Sequence, residues 1–315
     1  MQSLALGLVL GYAADRAWAD PARSHPVAGF GRVAGALEQH VYAPDRSRGL
    51  AYTAVLVGGA AGLGALANRA TGRRPALRTV ATAAATWAVL GGRSLEREAA
   101  RVHAHLDAGD LPAARRQVRH LVGRDPFGLG AVEIARATVE SVAENTSDAV
   151  VAPLLAGAVA GIPGLLAYRA VNTLDAMVGH RSERYQEFGW AAARFDDAVN
   201  LVPSRIAAAL TVIAAPTVGG RRRQAWRVWR RDASRHPSPN AGQVESAFAG
   251  ALGISLGGSN TYGTTVEDRG TLGDGPPTAP RDIARANRLA SAVGIASLAV
   301  AVGVSWSLRR RDLRS

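Results

Sequence analysis

The chain has 315 residues, enough for one large domain or two ordinary ones. Its net charge is +12 and all 37 basic residues are arginine, which excludes a Schiff-base, pyridoxal-phosphate or P-loop lysine. The absence of cysteine excludes disulfides, thiolate nucleophiles, zinc–thiolate sites and iron–sulfur clusters. Aromatic residues make up only 5% of the chain, and the arginines lie at the ends of apolar segments, so the charge indicates a membrane surface and no nucleic acid.

Six apolar segments divide the chain. They lie at about residues 1–14, 49–68, 75–92, 149–168, 206–220 and 289–308. A run of about 20 apolar residues can cross a hydrocarbon core of about 30 Å. The segments predict an all-α, polytopic membrane bundle that forms a single domain over residues 1–315. The short segment 1–14 fits either a first membrane segment or a core helix, and segments 49–68 and 75–92 fit a helical hairpin packed through alanine and glycine.

Two amphipathic helices are predicted between the third and fourth apolar segments. They cover Ser94 to Ala108 and Asp110 to Val122, with a break at Gly109. His103 and His105 are two residues apart and cannot share a helix face, which argues against a histidine metal site here.

Acidic side chains then recur at helical spacing in three places. The groups are Glu140, Glu144 and Asp148, then Asn172 and Asp175, then Asp196, Asp197 and Asn200. Residues four apart on a helix are turned by only about 40°, so like charges at that spacing repel and require a counter-charge. Mg²⁺ prefers such oxygen ligands and is typically held by one or two carboxylates plus substrate phosphates. A set of exposed helices with surface ion pairs is the simpler alternative.

The apolar segment 149–168 separates the first acidic group from the other two. It is interrupted by Pro153, Gly157, Gly161, Pro163 and Gly164. Broken helices are tolerated at membrane depth when they are buried in protein or line a cavity. The sequence therefore predicts a broken or re-entrant element that returns Asn172 and Asp175 to the side of Glu144.

The C-terminal third is basic and then glycine-rich. Arginines and two tryptophans between residues 221 and 231 are typical of an interfacial helix on anionic lipid. A probable helix over Gln243 to Leu252 precedes a glycine-rich loop over Gly253 to Pro280, which fits a phosphate-binding loop or a plain connector. The final segment is followed by arginines, which favours a cytoplasmic C-terminus.

Long motifs in this chain resemble one enzyme family. They cover residues 15–27, 122–125, 139–148, 170–180, 193–197, 200–205 and 236–242. In this order and over nearly the whole chain they are similar to the adenosylcobinamide-phosphate synthase family of cobalamin biosynthesis. The resemblance implies a multi-pass enzyme of the cell (inner) membrane that uses ATP and Mg²⁺. The implied reaction joins adenosylcobyric acid, a corrinoid, to aminopropanol or its phosphate through an amide bond.

The residues that match the family motifs receive the following roles as hypotheses. Metal binding falls to Glu140, Glu144, Asp148, Asp175, Asp196 and Asp197, with support from Asn145, Asn172 and Asn200. Arg124, Arg194 and Arg205 hold phosphate. The residues with a proposed catalytic role are Glu144, Asp148, Asp175, Asp196, Asp197 and Arg194. His25, His236 and Asn240 are assigned to corrinoid or nucleotide contact, although both histidines precede a proline and fit turn stabilisation equally well. One acidic residue must deprotonate the incoming ammonium.

Two other classes of protein fit the spacing. An intramembrane prenyltransferase or CDP-alcohol phosphotransferase also combines acidic helices, Mg²⁺ and arginine. A non-enzymatic membrane scaffold or transporter subunit is the second alternative. Other proteins of the cobalamin pathway are possible partners.

Overall fold

The computed structural model describes residues 2–20, 25–123, 126–180, 182–262 and 265–312, with the backbone alone for 259–262, 265–268 and 309–312. The helices are α1 Gln2–Trp18, α2 Pro26–Val41, α3 Arg46–Thr71, α4 Pro75–Val89, α5 Gly92–Asp107, α6 Leu111–Val118, α7 Ala131–Thr146, α8 Ala152–Leu174, α9 Trp190–Ala214, α10 Arg222–Asp232, α11 Ala241–Leu252 and α12 Pro280–Asp312. Two strands, β1 Leu256–Tyr262 and β2 Thr265–Leu272, form one antiparallel pair. The predicted all-α fold is therefore confirmed.

Within the described residues, four helical stretches are long and apolar enough to cross a membrane: Arg46–Thr71, Ala131–Gly179, Trp190–Val218 and Pro280–Leu308. They contain four of the six predicted apolar segments. The other two segments correspond to α1 and α4, which are only 17 and 15 residues long.

The chain divides into two compact units. The first unit consists of residues 1–91, 152–200 and 298–315, and the second consists of residues 92–151 and 201–297. Both units are discontinuous in sequence, and helices α9 and α12 contribute to each. This division does not test independent folding, so the single domain over residues 1–315 stays a prediction.

Helix packing in the first unit depends on small residues. On α1, a Cβ added to Gly11 would lie 2.6 Å from the carbonyl oxygen of Ala83 on α4. On α3, a Cβ added to Gly64 would lie 2.6 Å from the Cα of Pro163 on α8. These contacts place α4 against α1 and α3 against α8, with glycine allowing the close approach. The predicted hairpin of segments 49–68 and 75–92 stays a prediction.

Helix α8 is two short helices joined by a sharp reversal at Gly161. This glycine has φ 65° and ψ −146°, a conformation that a residue with a side chain rarely adopts. A Cβ on Gly157 would lie 2.8 Å from the side chain of Leu165, and a Cβ on Gly164 would lie 2.3 Å from the carbonyl oxygen of Ala156. Residues eight apart on a straight helix are about 12 Å apart, so the chain folds back on itself. The predicted break is confirmed, while the return of Asn172 and Asp175 to the side of Glu144 stays a prediction.

In the second unit, the two amphipathic helices α5 and α6 are separated at Gly109, which has φ 71°, as predicted. The predicted glycine-rich loop is largely replaced by the β1–β2 hairpin. Gly257 and Gly258 both have positive φ, and the register shifts between Gly257 and Ser259, which marks a β-bulge. Such glycine-rich strands carry little hydrophobic alternation, so the sequence pattern hides them.

Candidate functional site

Two of the proposed acidic residues lie in π-helical turns. Asp148 belongs to the turn Ser147–Val151, which directly precedes α8, and Asp175 begins the turn Asp175–Gly179, which directly follows it. A π turn holds one extra residue and is costly, so it is rare outside functional sites. Both ends of the α8 hairpin therefore carry the kind of backbone irregularity that is typical of a site.

A hydrogen-bonded chain links the second arm of α8 to α9 in the first unit. The Tyr168 hydroxyl donates to Oδ1 of Asn200 over 2.8 Å, and Nδ2 of Asn200 donates to Oδ2 of Asp196 over 2.9 Å. Tyr168 and Asn200 are 5% and 1% exposed. This buried relay fixes the direction in which the Asp196 carboxylate points.

The other end of the same helix pair brings Asp175 close to α9. A Cβ on Gly179 would lie 2.0 Å from Oδ1 of Asp175 and 3.4 Å from the Cβ of Ala193. Because Ala193 and Asp196 are three residues apart, they share one face of α9. Asp175 and Asp196 thus face the same seam between the two helices, which we call the α8–α9 seam and define as Tyr168, Asn172, Asp175, Asp196 and Asn200.

The remaining first-unit candidates lie at the edges of this seam. Asn172 accepts a weak hydrogen bond from Arg169 over 3.5 Å, within its own helix. Arg194 and Asp197 form an exposed ion pair at 3.9 Å. An exposed pair of this kind contributes little to stability, so both side chains can be reoriented by a ligand at low cost.

Glu140 has a different environment in the second unit. It is 5% exposed, and its Oε1 accepts the backbone N–H of Gly257 over 2.8 Å. The Arg136 side chain lies 4.0 Å from the same oxygen and also donates to the carbonyl oxygen of Gly257. Arg136 and Glu140 therefore hold both backbone polar groups of Gly257 and fasten the hairpin to α7. This N–H is consequently turned toward Glu140, away from the predicted phosphate cradle.

The next turn of α7 carries Glu144 and Asn145. Glu144 interacts electrostatically with Arg269 of β2 and with Glu140. Asn145 donates to the carbonyl oxygen of Ser141 over 2.9 Å, which is an intrahelical contact. The acidic face of α7 is thus paired with basic residues of α7 itself and of the hairpin.

The motif residues near α11 are held by short-range contacts. Ser204 donates to Oδ1 of Asn240 over 3.2 Å, and Arg205 donates to the carbonyl oxygen of Leu201 over 2.7 Å. Nδ1 of His236 accepts the N–H of Ser238 over 3.0 Å, while its Nε2 lies 3.8 Å from the fully buried Glu245.

His25 has a similar arrangement in the first unit. Its Nδ1 accepts the N–H of Val27 over 3.3 Å, and its Nε2 lies 3.3 Å from Asp20. Both histidines thus stabilise the turn before a proline, and their contact with substrate stays a prediction. Arg124 lies outside the described residues.

Sequence reasoning missed several residues with clear structural roles. Tyr168 could have been found, because it lies four residues before Asn172 on one helix face. Arg136 also lies four residues before Glu140 on one helix face, but its contact with Gly257 and the approach of Arg269 to Glu144 join residues that are distant in sequence. Glu245 gave no such signal. Among the residues that the structure describes, no group of three or more histidine, aspartate or glutamate side chains is arranged to hold a metal ion alone. The prediction that all three acidic groups share one pocket stays a prediction.

Fold and site together define an α-helical protein with membrane-spanning segments and a polar seam of carboxylate and amide side chains. The chain belongs to the CobD/Cbib protein family, whose model matches residues 8–290. It is 51% identical over 301 residues to the cobalamin biosynthesis protein CobD of Mycobacterium tuberculosis, covering 95% of this chain and 96% of that one. The protein of the same name from Chromobacterium violaceum is 43% identical over 294 residues, covering 90% of this chain and 91% of the relative. No solved structure matches the chain.

Proposed function

We propose that this protein catalyses ATP- and Mg²⁺-dependent amide-bond formation between adenosylcobyric acid and aminopropanol or its phosphate, in the cytoplasmic (inner) membrane. Membership of a family with relatives named for cobalamin biosynthesis supports the pathway. The observation that carries the reaction is the α8–α9 seam, where Asn200 donates to Asp196 and Asp175 lies close to α9.

The seam has the donor chemistry that Mg²⁺ requires. Carboxylate and amide oxygens are hard ligands, and a Mg²⁺ ion that also binds phosphate needs only one or two protein carboxylates. Asp175 and Asp196 would hold the ion, with Asn172 in support. When bound, Mg²⁺ neutralises charge that develops on phosphate oxygens during phosphoryl transfer. The absence of lysine leaves arginine to grip phosphate, and Arg194, whose exposed side chain pairs with Asp197, would take this role.

The reaction proceeds in two balanced steps. The corrinoid carboxylate attacks the γ-phosphorus of ATP, and ADP leaves, which gives an acyl phosphate. The amine then attacks the acyl carbon, phosphate leaves, and one proton passes from the nitrogen to a carboxylate of the protein. Tyr168 and Asn200 act as positioning residues, because their hydrogen bonds fix the orientation of Asp196 before substrate binds.

The test uses the full-length protein in membranes, supplied with ATP, Mg²⁺, the corrinoid and either form of the amine. We expect ADP and phosphate to form only when both organic substrates are present, with the amide product detected by mass spectrometry. Release of diphosphate from prenyl donors, or of CMP from CDP-alcohols, would instead identify the transferase alternatives. ATP turnover that does not depend on the corrinoid would overturn the proposal.

A further inference from the structure

Helix α10 presents an arginine-rich face that no part of the proposed reaction uses. It buries Ala225, Val228, Trp229 and Asp232 on one side. At about 100° per residue, Arg223, Trp226, Arg227 and Arg230 fall within an arc of about 100° on the opposite side. All four are exposed, and Trp226 retains 50% of its accessible surface. We call these four residues the α10 face.

The charges of the α10 face lack a counter-charge among the residues whose side chains the structure describes. The only carboxylate on α10 is Asp232, which is buried and paired with Arg231 and Arg235. In the part of the chain that the structure describes, no ion pair involves Arg223, Arg227 or Arg230. Exposed arginines without acidic partners give a surface that is suited to an anionic partner.

The aromatic residue on this face narrows the chemistry of that partner. The Trp226 ring packs edge-on against Trp229 with centroids 5.2 Å apart, and the Arg230 guanidinium lies 5.8 Å from its centroid. A half-exposed tryptophan beside an arginine is typical of side chains at the level of lipid headgroups.

The position of α10 in the chain points to a bilayer. The candidate membrane span Trp190–Val218 ends only four residues before α10 begins. Four residues cover at most about 14 Å, so the start of α10 lies within that distance of the end of this candidate span. The link between them packs against α11, because a Cβ on Gly220 would lie 2.0 Å from the carbonyl oxygen of Ala251.

We propose that the α10 face is a docking surface for anionic phospholipid headgroups. Arg223, Arg227 and Arg230 bind the headgroup phosphates, while Trp226 inserts its ring at the same depth. This inference does not depend on the proposed reaction, since none of the four residues belongs to the α8–α9 seam.

The test measures how closely anionic lipid approaches Trp226. The full-length protein is reconstituted into phosphatidylcholine vesicles that contain a minor fraction of either brominated phosphatidylglycerol or brominated phosphatidylcholine. The chain has six tryptophans, so the Trp226 signal is taken as the difference in fluorescence between the wild type and Trp226→Phe. We expect brominated phosphatidylglycerol to quench this signal at least about fivefold more effectively, because each arginine near the surface favours anionic lipid.

Three sets of variants decide the outcome. In the triple variant Arg223→Gln, Arg227→Gln and Arg230→Gln, both brominated lipids should quench the Trp226 fluorescence equally. The three matching Arg→Lys changes should keep the preference for brominated phosphatidylglycerol. The control changes Arg101, Arg116 and Arg119 on α5 and α6 to glutamine and removes the same charge from the same unit. Equal quenching in the wild type, or equal loss in the control, would overturn the proposal. The proposal would also be overturned if inorganic phosphate abolished the preference for brominated phosphatidylglycerol while chloride of equal ionic strength did not. That result would indicate that the α10 face binds a soluble anion.

Discussion

Asp196 and Glu140 show how similar acidic spacing can lead to two different environments. Asp196 accepts a hydrogen bond from the neutral amide of Asn200, which orients the carboxylate. Glu140 instead faces Arg136 and a backbone N–H that is 117 residues away in the chain. In the first arrangement a buried amide orients the carboxylate within one helix, while in the second the carboxylate holds two elements together. Spacing identifies acidic residues, but the partner decides what each of them does.

The largest effect is expected when a charged carboxylate is removed from the α8–α9 seam. Asp175→Asn should lower the rate of amide formation by about 10³-fold, since a ligand for the phosphate-bound Mg²⁺ would lose its charge. Product formation by membranes with equal amounts of protein measures this. Glu183→Gln, an exposed carboxylate in the same unit, is the matched control and should keep wild-type activity. Full activity in Asp175→Asn would remove Asp175 from the site.

Asp232 is a third carboxylate, and like Glu140 it has a structural role. Asp232 is fully buried and is held by Arg231 over 2.7 Å, by Arg235 over 3.1 Å and by the N–H of Gly273 over 2.9 Å. Burial alone would raise the pKa of Asp232, but the hydrogen bonds from Arg231 and Gly273 outweigh it and lower the pKa below 3.8.

A lowered pKa in the folded state means that ionised Asp232 stabilises the fold above its unfolded pKa of about 3.9, and that this contribution is lost as the pH falls through the folded value. Asp232→Asn should therefore lower the free energy of unfolding by about 3 kcal/mol at neutral pH. The difference from the wild type should shrink below about pH 4. Thermal unfolding in detergent at a series of pH values measures both effects, and a difference that is independent of pH would contradict them.

Glu140→Gln should act on stability more than on chemistry. We expect a loss of about 2 kcal/mol in the free energy of unfolding, because a charged hydrogen bond to the hairpin becomes a neutral one and Arg136 loses its partner. Activity per folded molecule should stay within a few-fold of the wild type. A variant that unfolds normally but makes no product would show that Glu140 belongs with Asp175 and Asp196.

The smallest expected effect comes from the relay behind Asp196. Tyr168→Phe removes the hydroxyl that orients Asn200 and should cost about 1 kcal/mol of stability. The turnover number should fall several-fold while the Michaelis constants stay nearly unchanged, since the substrates themselves lose no contact. A change confined to stability would assign Tyr168 to packing alone.

Much of this architecture could be predicted from the sequence, because its signals are local. Apolar runs predicted the long helices, and Gly109 predicted the break between α5 and α6. The glycines and prolines of segment 149–168 predicted the break in α8. The π turns at Asp148 and Asp175 were not predictable, because one extra residue in a turn leaves no period to detect. The hairpin β1–β2 was missed for a related reason, since its anchor on Arg136 and Glu140 joins residues that are far apart in the chain.

The reversal at Gly161 also affects how the topology of such a chain should be counted. The apolar run 149–168 is long enough to be scored as a crossing, yet residues 149–160 extend only about 18 Å before the chain turns back, which is short of a hydrocarbon core of about 30 Å. Length and composition of the apolar run therefore do not establish a crossing by themselves. The side of the membrane assigned to every later loop, including the one that carries α10, depends on how this broken run is counted.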